Sequence, residues 1–339
     1  MQPVALMRKG FLDVNENKIT IQKIAELAGV NKATVSRVLN GSATISQKTK
    51  EKVERIIKEY NYTPNTIARG LAVNKTFTVG FCHDYKDKRA FANHFFYKML
   101  QGIENVIYDN DYLFLMMSRH EREDGTSMFE RVVKERRVDG VILPSSLYNE
   151  ANYRLLKEHR MPFVVLGERE FGHSDVRWVD VDNRQAAQLL TERLYENGYR
   201  RIHLYTDQEA IARDKFIADR IDGYTRTMEK LGLPAFVATS VGELQARGTE
   251  AVICCTHEQL FELLKETADG LPLPDAELGT FDENPMFQYF KRTVHYVSID
   301  LEKMGEQAAH LLLSIINQKE DVPHFVQIPA FLARTSDFE

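Results

Sequence analysis

The sequence predicts an α/β protein with a separate helical head at its N-terminus, and three observations support this fold class. The chain has 339 residues, which is too long for one small core. Residues 20–60 contain only helical patterns, whereas strand and helix patterns alternate from Phe77 onward. Residues 1–75 hold 13 Lys and Arg against six Asp and Glu, and the remainder carries a net charge of −12. A basic head on an acidic body is expected where the head meets a polyanion.

The composition excludes several other classes of protein. A hydrophobic content of 43% and a charged content of 27% are ordinary for globular domains, and no stretch approaches the roughly 18 apolar residues of a membrane span. Residues 1–17 lack the apolar core and cleavage site of a signal peptide, so we expect an N-terminal tail and a cytoplasmic protein. Three cysteines cannot form an even disulfide framework, which agrees with a reducing compartment: Cys82, Cys254 and Cys255.

The first two helices of the head have clear boundary signals. Thr20 can cap a helix over residues 21–28. Asn31 can cap a second helix over residues 32–40, which Gly41 ends. The sequence therefore predicts a helix, a tight turn and a second helix.

A third helix and a short helical segment complete the head. Ser46 can cap the third helix, which continues to about Tyr60. Its apolar residues follow the helical spacing i, i+3, i+4, i+7: Val53, Ile56, Ile57 and Tyr60. Residues 65–71 form a very short helical pattern, and the polar residues 74–76 then lead into the body.

The body alternates strands and helices, which predicts parallel sheets covered on both faces. The expected strands are Phe77–Phe81, Leu113–Met117, Gly140–Leu143, Phe163–Leu166, Ile202–Tyr205, Ala251–Cys255 and Glu277–Phe281, with Phe325–Ile328 as the last. The expected helices are Phe95–Asp109, Met128–Arg136, Arg184–Asn197, Phe216–Leu231, Glu258–Ala268 and Glu302–Asn317. About 260 residues exceed one such sheet, so two similar lobes are expected. Little sequence follows the last strand, so we expect no C-terminal coiled coil.

The second helix carries the strongest chemical signal. One face is small or polar, and consists of Lys32, Ala33, Ser36, Arg37 and Asn40. The opposite face consists of Val35, Val38 and Leu39. A slim polar face suits the major groove of DNA, where arginine pairs with guanine and asparagine with adenine. The alternative is an ordinary amphipathic surface helix.

The sequence of these residues favours the first interpretation. Residues Thr20–Gly41, TIQKIAELAGVNKATVSRVLNG, closely resemble the helix-turn-helix of the lactose-repressor (LacI/GalR) family of bacterial transcription regulators. The resemblance continues through residues 62–65 and 68–71, which look like the hinge helix of that family. It implies a DNA-binding domain over 18–63, a hinge helix and linker over 64–75, and an effector-binding and dimerisation domain over 76–339.

The resemblance also implies roles for individual residues. Thr34 and Ser36 match positions that contact the DNA backbone, and Lys32, Ala33 and Arg37 match base-reading positions. Leu71 matches a leucine that enters the minor groove, where an apolar wedge bends the duplex; its alternative role is simple packing. The DNA-binding residues expected on this basis are Thr20, Lys32, Ala33, Thr34, Ser36, Arg37, Asn40, Tyr62, Asn65, Ala68 and Leu71.

The body resembles the same family, whose effector domain is two-lobed like the periplasmic sugar-binding proteins. The matching stretches are residues 93–96, 137–142, 181–184, 198–202 and 220–224. Ligands of such folds lie between the lobes at the carboxyl ends of strands. The family's ligand positions correspond to Arg220, Thr256 and Asp282, with Phe95 and Phe96 as ring-stacking walls. The alternatives are structural: Arg220 pairs with Asp219 or Asp222, and Asp282 caps a turn.

Two departures from the family pattern leave the ligand open. Thr256-His257 stands where the family usually has Asn-Asp, and residues 236–250 are shorter than usual and lack an expected aromatic residue. The alternatives are a sugar, another small molecule, no effector, or a phosphorylated sugar held by one of three arginines: Arg89, Arg119 and Arg169.

These observations predict a DNA-binding transcription regulator that acts without a cofactor, metal or membrane. We expect a homodimeric repressor of a carbohydrate-related operon, which binds a near-palindromic operator and responds to a small molecule in the cleft. Phosphate-loop, dinucleotide-binding and nucleophile-elbow motifs are absent. Cys254 and Cys255 point to opposite faces of a strand and so cannot readily share one ion with His257. The rival functions are an enzyme with a protein-binding head, and an activator or corepressor-dependent repressor.

Overall fold

The computed structural model describes residues 19–39, 41–42, 44–63, 70–71, 73–83, 94–118, 125–167, 173–268 and 276–335. The chain divides into two compact units, and the division falls between Lys75 and Thr76. Several predictions concern residues outside the described ones: the tail over 1–17, Asn40, Asn65, Ala68 and the three arginines at 89, 119 and 169. The side chain of Phe95 is also outside them.

The head contains the three predicted helices: α1 (Ile21–Ala28), α2 (Lys32–Leu39) and α3 (Gln47–Glu59). Each predicted cap is present, because the Thr20, Asn31 and Ser46 side chains accept hydrogen bonds from the backbone N–H three residues later. Gly29 ends α1 in the left-handed conformation at φ +62°. The three helices enclose a small apolar core: Ile24, Ala25, Ala28, Val35, Val38 and Val53.

The body contains two six-stranded sheets, one in each lobe. Lobe 1 has the strand order β11-β5-β4-β3-β1-β2, and lobe 2 has the order β12-β10-β9-β8-β6-β7. Every strand pair is parallel except β10 with β12. The strands are β1 (Thr78–His83), β2 (Leu113–Ser118), β3 (Gly140–Pro144), β4 (Phe163–Leu166), β5 (Trp178–Val181), β6 (Ile202–Tyr205), β7 (Val237–Ala238), β8 (Ala251–Cys254), β9 (Glu277–Phe281), β10 (Val294–Ile299), β11 (Phe325–Ile328) and β12 (Ala330–Arg334).

Helices cover the sheets and separate most of the strands, as expected for parallel sheets. They are α4 (His94–Asp109), α5 (Met128–Lys134), α6 (Glu150–Glu158), α7 (Asn183–Glu196), α8 (Gln208–Arg213), α9 (Lys215–Lys230), α10 (Val241–Ala246), α11 (His257–Ala268) and α12 (Leu301–Ile316), with short 3₁₀ helices at Ser145–Leu147 and Pro285–Tyr289. The predicted α/β, two-lobed class is therefore confirmed.

The chain crosses from one lobe to the other after β5, after β10 and after β11. At the first two crossings an aspartate caps the next helix: Asp182 accepts from Gln185 N and Asp300 from Lys303 N, both at 2.8 Å. The two aspartates have nearly the same backbone angles, φ −73° and ψ 86° against φ −75° and ψ 87°. The third crossing is joined to the first, because Gln327 Nε2 donates to Asp182 Oδ2 at 3.0 Å.

The main helix pair of each lobe packs unusually closely at glycine. A Cβ on Gly102 of α4 would collide with the carbonyl oxygen of Glu302 on α12, and one on Gly305 would collide with that of Met99. In lobe 2, a Cβ on Gly223 of α9 would collide with the carbonyl of Arg184 on α7. Both lobes therefore depend on glycine for the same kind of contact between helices.

Some boundaries differ from the predictions. The last strand is β12, not the predicted Phe325–Ile328, because Pro329 alone separates two strands that belong to different sheets. The helix predicted over Met128–Arg136 ends at Lys134. Arg136, two residues later, adopts φ +48°, which is not a helical angle. Several elements were not predicted: α6, α8, α10, β5, β7 and β10. Most of them are short and so carry little periodic signal.

Candidate DNA-binding face and effector cleft

The polar face predicted on α2 faces solvent. Lys32, Ala33 and Arg37 are exposed, and Ser36 is half-buried. On the opposite side Val35 is fully buried, in the core of the head. The face contains no acidic side chain, and within the described residues Lys32 and Arg37 form no ion pair. Two cations on a narrow helix surface are therefore free to contact DNA, as is required of a helix that binds in the major groove.

The start of α2 is organised by a local hydrogen-bond pair. Asn31 Oδ1 accepts from Thr34 N at 2.7 Å and from Thr34 Oγ1 at 2.9 Å. The Thr34 hydroxyl retains its lone pairs but has its proton committed to Asn31. The first turn of α2 lacks an acidic residue, so the positive end of the helix dipole is not neutralised there. This end of the helix is suited to a phosphate.

The remaining described DNA-binding candidates differ in exposure. Thr20 is exposed and caps α1. Tyr62 is half-buried against the core of the head, and burial raises the pKa of its hydroxyl. Leu71 is 81% exposed, so its apolar side chain is accessible to a partner.

The cleft face of lobe 2 is built around a buried arginine. Arg220, on α9, is only 4% exposed. It donates to Asn183 Oδ1 at 3.0 Å and to the carbonyl oxygen of Cys255 at 2.5 Å. Its guanidinium also lies 4.0 Å from the centre of the Phe281 ring. These contacts fix the arginine at the carboxyl ends of β8 and β9.

Asp282, which directly follows β9, is the main counter-charge of this arginine. It is 7% exposed and adopts the left-handed backbone at φ +68°, a conformation that costs free energy outside glycine. Burial raises the pKa of the Asp282 carboxyl, while Arg220 and His257 act in the opposite direction. Burial lowers the pKa of Arg220, and Asp282 opposes that shift most strongly. Both residues are buried, and each exerts the largest opposite-charge influence on the pKa of the other.

The other predicted lobe 2 residue has a structural contact. Thr256 Oγ1 accepts from Gln259 N at 3.2 Å, at the start of α11. The same turn contains His257, which is 3% exposed. Its Nε2 lies 3.4 Å from Glu258, whereas its Nδ1 has no hydrogen-bond partner among the described residues. Thr256 therefore stabilises the start of α11, where the buried Nδ1 atom of His257 has no hydrogen-bond partner among the described residues.

Lobe 1 contributes rings to the region. Phe96 is buried and packs against Phe81 at 5.9 Å and against His83 at 4.4 Å between ring centres. The two lobes also meet through an ion pair, because Lys98 Nζ on α4 lies 3.3 Å from Glu283 Oε2, next to Asp282. Phe96 is thus a core residue of lobe 1, whereas Arg220, Thr256 and Asp282 lie in lobe 2.

The alternative that Arg220 pairs with Asp219 or Asp222 is not observed among the described residues. Asp219 pairs with Arg184 and Lys215, and Asp222 pairs with Arg184 and Arg226. Both carboxylates are thus engaged by other cations.

The remaining observations concern metals and membranes. Cys254 and Cys255 are fully buried, and the described part of the chain contains no group of three or more His, Cys, Asp or Glu side chains that could hold a metal ion. Within the described ranges, no helix is both long enough and apolar enough to cross a membrane.

Family comparisons cover nearly the whole chain. Residues 20–65 match the model "Bacterial regulatory proteins, lacI family". Residues 78–242 match "Periplasmic binding proteins and sugar binding domain of LacI family", and residues 191–336 match "Periplasmic binding protein-like domain". The chain belongs to the LacI family. It is therefore a DNA-binding transcriptional regulator with a sugar-binding domain, and the prediction of a regulator rather than an enzyme is confirmed.

Individual LacI-family relatives match over most of their length. The chain is 27% identical to the HTH-type transcriptional regulator CelR of Thermobifida fusca, over 90% of this chain and 94% of CelR. It is 29% identical to the HTH-type transcriptional regulator MalR of Staphylococcus xylosus, over 92% and 95% of the two chains.

Two solved structures extend this similarity to three dimensions. The complex of the transcriptional regulator CelR with cellobiose has a TM-score of 0.66 and 26% identity, covering 94% of this chain and 99% of that one. The Lac repressor dimer bound to operator and the anti-inducer ONPF has a TM-score of 0.69 over 94% and 98% of the chains. At 18% identity, this second likeness concerns the fold.

The sequence did not predict several residues that surround Arg220 and Thr256. Asn183 holds Arg220, and His257 and Gln259 lie in the same turn as Thr256. Asn183 lies within the matching stretch 181–184, which was an available signal. The pairing of Gln259 Nε2 with Thr206 and Asp207 depends on residues 52 and 53 positions away in the chain, so no local pattern could reveal it.

Proposed function

We propose that this chain is a homodimeric repressor of a carbohydrate-related operon, which binds a near-palindromic operator and is switched by a small molecule between its lobes. The proposal rests on one observation: the same chain has exposed cations on a helix of its head and buried charged residues in its body. The head exposes Lys32 and Arg37 on a face free of carboxylates. The body buries Arg220 and Asp282 at the carboxyl ends of the lobe 2 strands.

The homodimer is supported by exposed apolar side chains on two elements of lobe 1. Tyr97 and Tyr108 on α4 are exposed, as are Leu113 and Met116 on β2, an edge strand of its sheet. Tyrosine and methionine are enriched at protein interfaces. A two-fold dimer presents two heads, and two heads read two half-sites in inverted orientation.

A switch requires a ligand that binds one lobe arrangement more tightly than the other. The cleft groups come from elements on both lobes, and the Lys98–Glu283 ion pair joins the lobes beside Asp282. A ligand held by Arg220 and Asp282 on one side and Phe96 on the other favours a particular separation of the lobes. A solved structure of the regulator CelR is a complex with cellobiose, which supports a carbohydrate as the effector. Such a regulator acts on chromosomal DNA, so we propose the cytoplasm as its location.

Selection from a pool of random duplexes with the full chain tests this proposal. We expect enrichment of a sequence with two inverted half-sites, and a steep loss of affinity as salt rises because phosphate contacts release counterions. Light scattering at micromolar concentration should give the mass of a dimer. Absence of duplex enrichment contradicts the DNA-binding role, and a monomer or a single half-site contradicts the two-fold arrangement.

An activator or a corepressor-dependent repressor has the same structural requirements. Reporter expression from the selected operator distinguishes them: deletion of the regulator raises expression if it represses and lowers expression if it activates. Addition of the effector then relieves repression for an inducer and strengthens it for a corepressor.

A further inference from the structure

Three buried polar atoms on lobe 2 lack hydrogen-bond partners within the described residues: His257 Nδ1, Gln259 Oε1 and Asp282 Oδ1. His257 and Gln259 lie in the first turn of α11, and Asp282 follows the neighbouring strand β9. His257 is close enough to Asp282 to influence its charge. Buried polar groups in folded proteins are nearly always hydrogen-bonded, so each of these exceptions needs an explanation.

The unsatisfied atoms define what their partner must supply. A carboxylate oxygen and an amide oxygen only accept hydrogen bonds, so their partner must donate. The Gln259 amide cannot be turned round without cost, because its Nε2 already donates to Thr206 Oγ1 at 3.0 Å and to Asp207 Oδ2 at 2.8 Å. His257 Nδ1 donates or accepts according to its tautomer. A hydroxyl group both donates and accepts, and so satisfies either tautomer of His257.

The two unsatisfied acceptors disfavour an anionic group as their partner. Asp282 Oδ1 and Gln259 Oε1 both need a donor. An ionised phosphate or carboxylate on the ligand would offer a donor to neither of them. A ligand cation would in turn be placed near the Arg220 guanidinium.

We propose that His257 is a specificity-determining residue of the cleft, and that with Asp282 and Gln259 it binds hydroxyl groups of an uncharged sugar. This inference rests on the proposed function for the role of the cleft, and it specifies the ligand class: a sugar without phosphate or carboxylate. The departure of Thr256-His257 from the usual family pattern then marks a specificity of this chain, because histidine supplies a buried nitrogen to the ligand.

Thermal unfolding of the full chain with five probes tests the ligand class. Cellobiose, maltose and ribose are the uncharged probes, and glucose 6-phosphate and ribose 5-phosphate are the charged ones. We expect at least one uncharged sugar to raise Tm in a concentration-dependent manner, and neither phosphate to do so. A larger shift with a phosphate, or no shift with any uncharged sugar, overturns the proposal.

Substitutions then test His257 itself with the sugar that binds. His257→Phe keeps a ring but removes Nδ1, and we expect it to weaken sugar affinity at least about tenfold while the Tm without sugar stays the same or rises. The increase in Tm is expected because an unsatisfied buried polar atom has been replaced by an apolar one. His257→Asn places an amide at a position comparable to that of Nδ1, and should restore affinity to within about threefold of the wild type.

His203→Phe is the matched control. His203 is equally buried in the same lobe, at 6% exposure, but its Nδ1 already pairs with Thr249 Oγ1 at 2.8 Å. This variant should lose Tm and keep its sugar affinity. If His257→Phe behaves in that way instead, His257 is structural and the proposal is wrong. Duplex binding is measured separately, so the sugar affinity and Tm of these variants can be interpreted even if the chain does not bind DNA.

Discussion

The head and the cleft both present polar side chains whose hydrogen-bonding capacity the described chain leaves open, but at very different depths. On α2, Lys32 and Arg37 are exposed, so water satisfies them when no ligand is bound. In lobe 2, Arg220, Asp282 and His257 are at most 7% exposed. Polar and charged side chains therefore reduce the stability of the unliganded fold to different extents in the two regions.

Because the two regions differ in burial, ligand binding and fold stability are related differently in each. An exposed cation costs the fold almost nothing, and it suits a large polyanion that displaces counterions. A buried polar group lowers the stability of the unliganded fold and gains from a small ligand that fits it. Substitutions on α2 should therefore change affinity alone, whereas substitutions in the cleft should change affinity and stability together.

The largest effect is expected for Arg220→Met. This change leaves the Asp282 carboxylate buried without its main counter-charge and leaves the acceptors on Asn183 and Cys255 without a donor. The free energy of unfolding should fall by about 3–5 kcal/mol, measured by urea denaturation, and sugar binding should be lost. Arg226→Met, on the same helix but with a 73% exposed side chain, is the control and should change stability by less than about 0.5 kcal/mol. Equal effects of the two would remove the difference between buried and exposed cations.

The second effect concerns Leu71, which is 81% exposed. Leu71→Ala should weaken binding to the selected operator by on the order of a few kcal/mol and reduce bending of the duplex, because an apolar wedge unstacks one base step. Duplex bending is measured by fluorescence energy transfer between labelled ends. Stability should not change, since the side chain is solvated in the free protein. Unaltered bending would show that Leu71 is not a wedge.

A smaller effect is expected for Arg37→Ala. Loss of a bidentate contact to guanine should cost about 1–3 kcal/mol and relax the preference at one base position, measured by repeating the duplex selection with the variant. Arg55, which is exposed on α3, is the matched control. Arg55→Ala should leave the base preference intact. A uniform loss of affinity on all sequences would instead make Arg37 a phosphate contact.

The smallest effect concerns His203, which is as buried as the cleft groups but already has a partner. Burial lowers its pKa below the ordinary value of 6.5, so the unfolded chain binds more protons than the folded one as the pH falls through that value. The stability contributed by neutral His203 is present above about pH 6.5 and should be lost progressively below it. His203→Gln should flatten this part of the curve of unfolding free energy against pH. An unchanged slope would attribute the loss to other groups.

The sequence predicted the head more completely than the cleft, for a physical reason. Thr20, Asn31, Gly29 and Ser46 act within a few residues of their own positions, so their types and spacing identify caps and turns directly. The exposed face of α2 likewise follows from the helical period. The long helices and central strands of the body were predicted on the same basis.

The cleft depends on contacts between residues far apart in the chain. Arg220 is positioned by Asn183 and Cys255, 37 and 35 residues away, and Lys98 meets Glu283 at a separation of 185 residues. No periodic pattern encodes such contacts. The resemblance to the family supplied Arg220, Thr256 and Asp282, but it did not supply His257, where this chain departs from the family.

We expect ligand binding in the cleft to change the affinity of the head for DNA. The direct measurement is the affinity of the full chain for its selected operator, with and without a saturating concentration of the uncharged sugar, for the wild type and for His257→Phe. The affinity of the wild type should change by about 5–150-fold, and that of the variant much less at the same sugar concentration. Identical operator affinities of the wild type with and without bound sugar would contradict it.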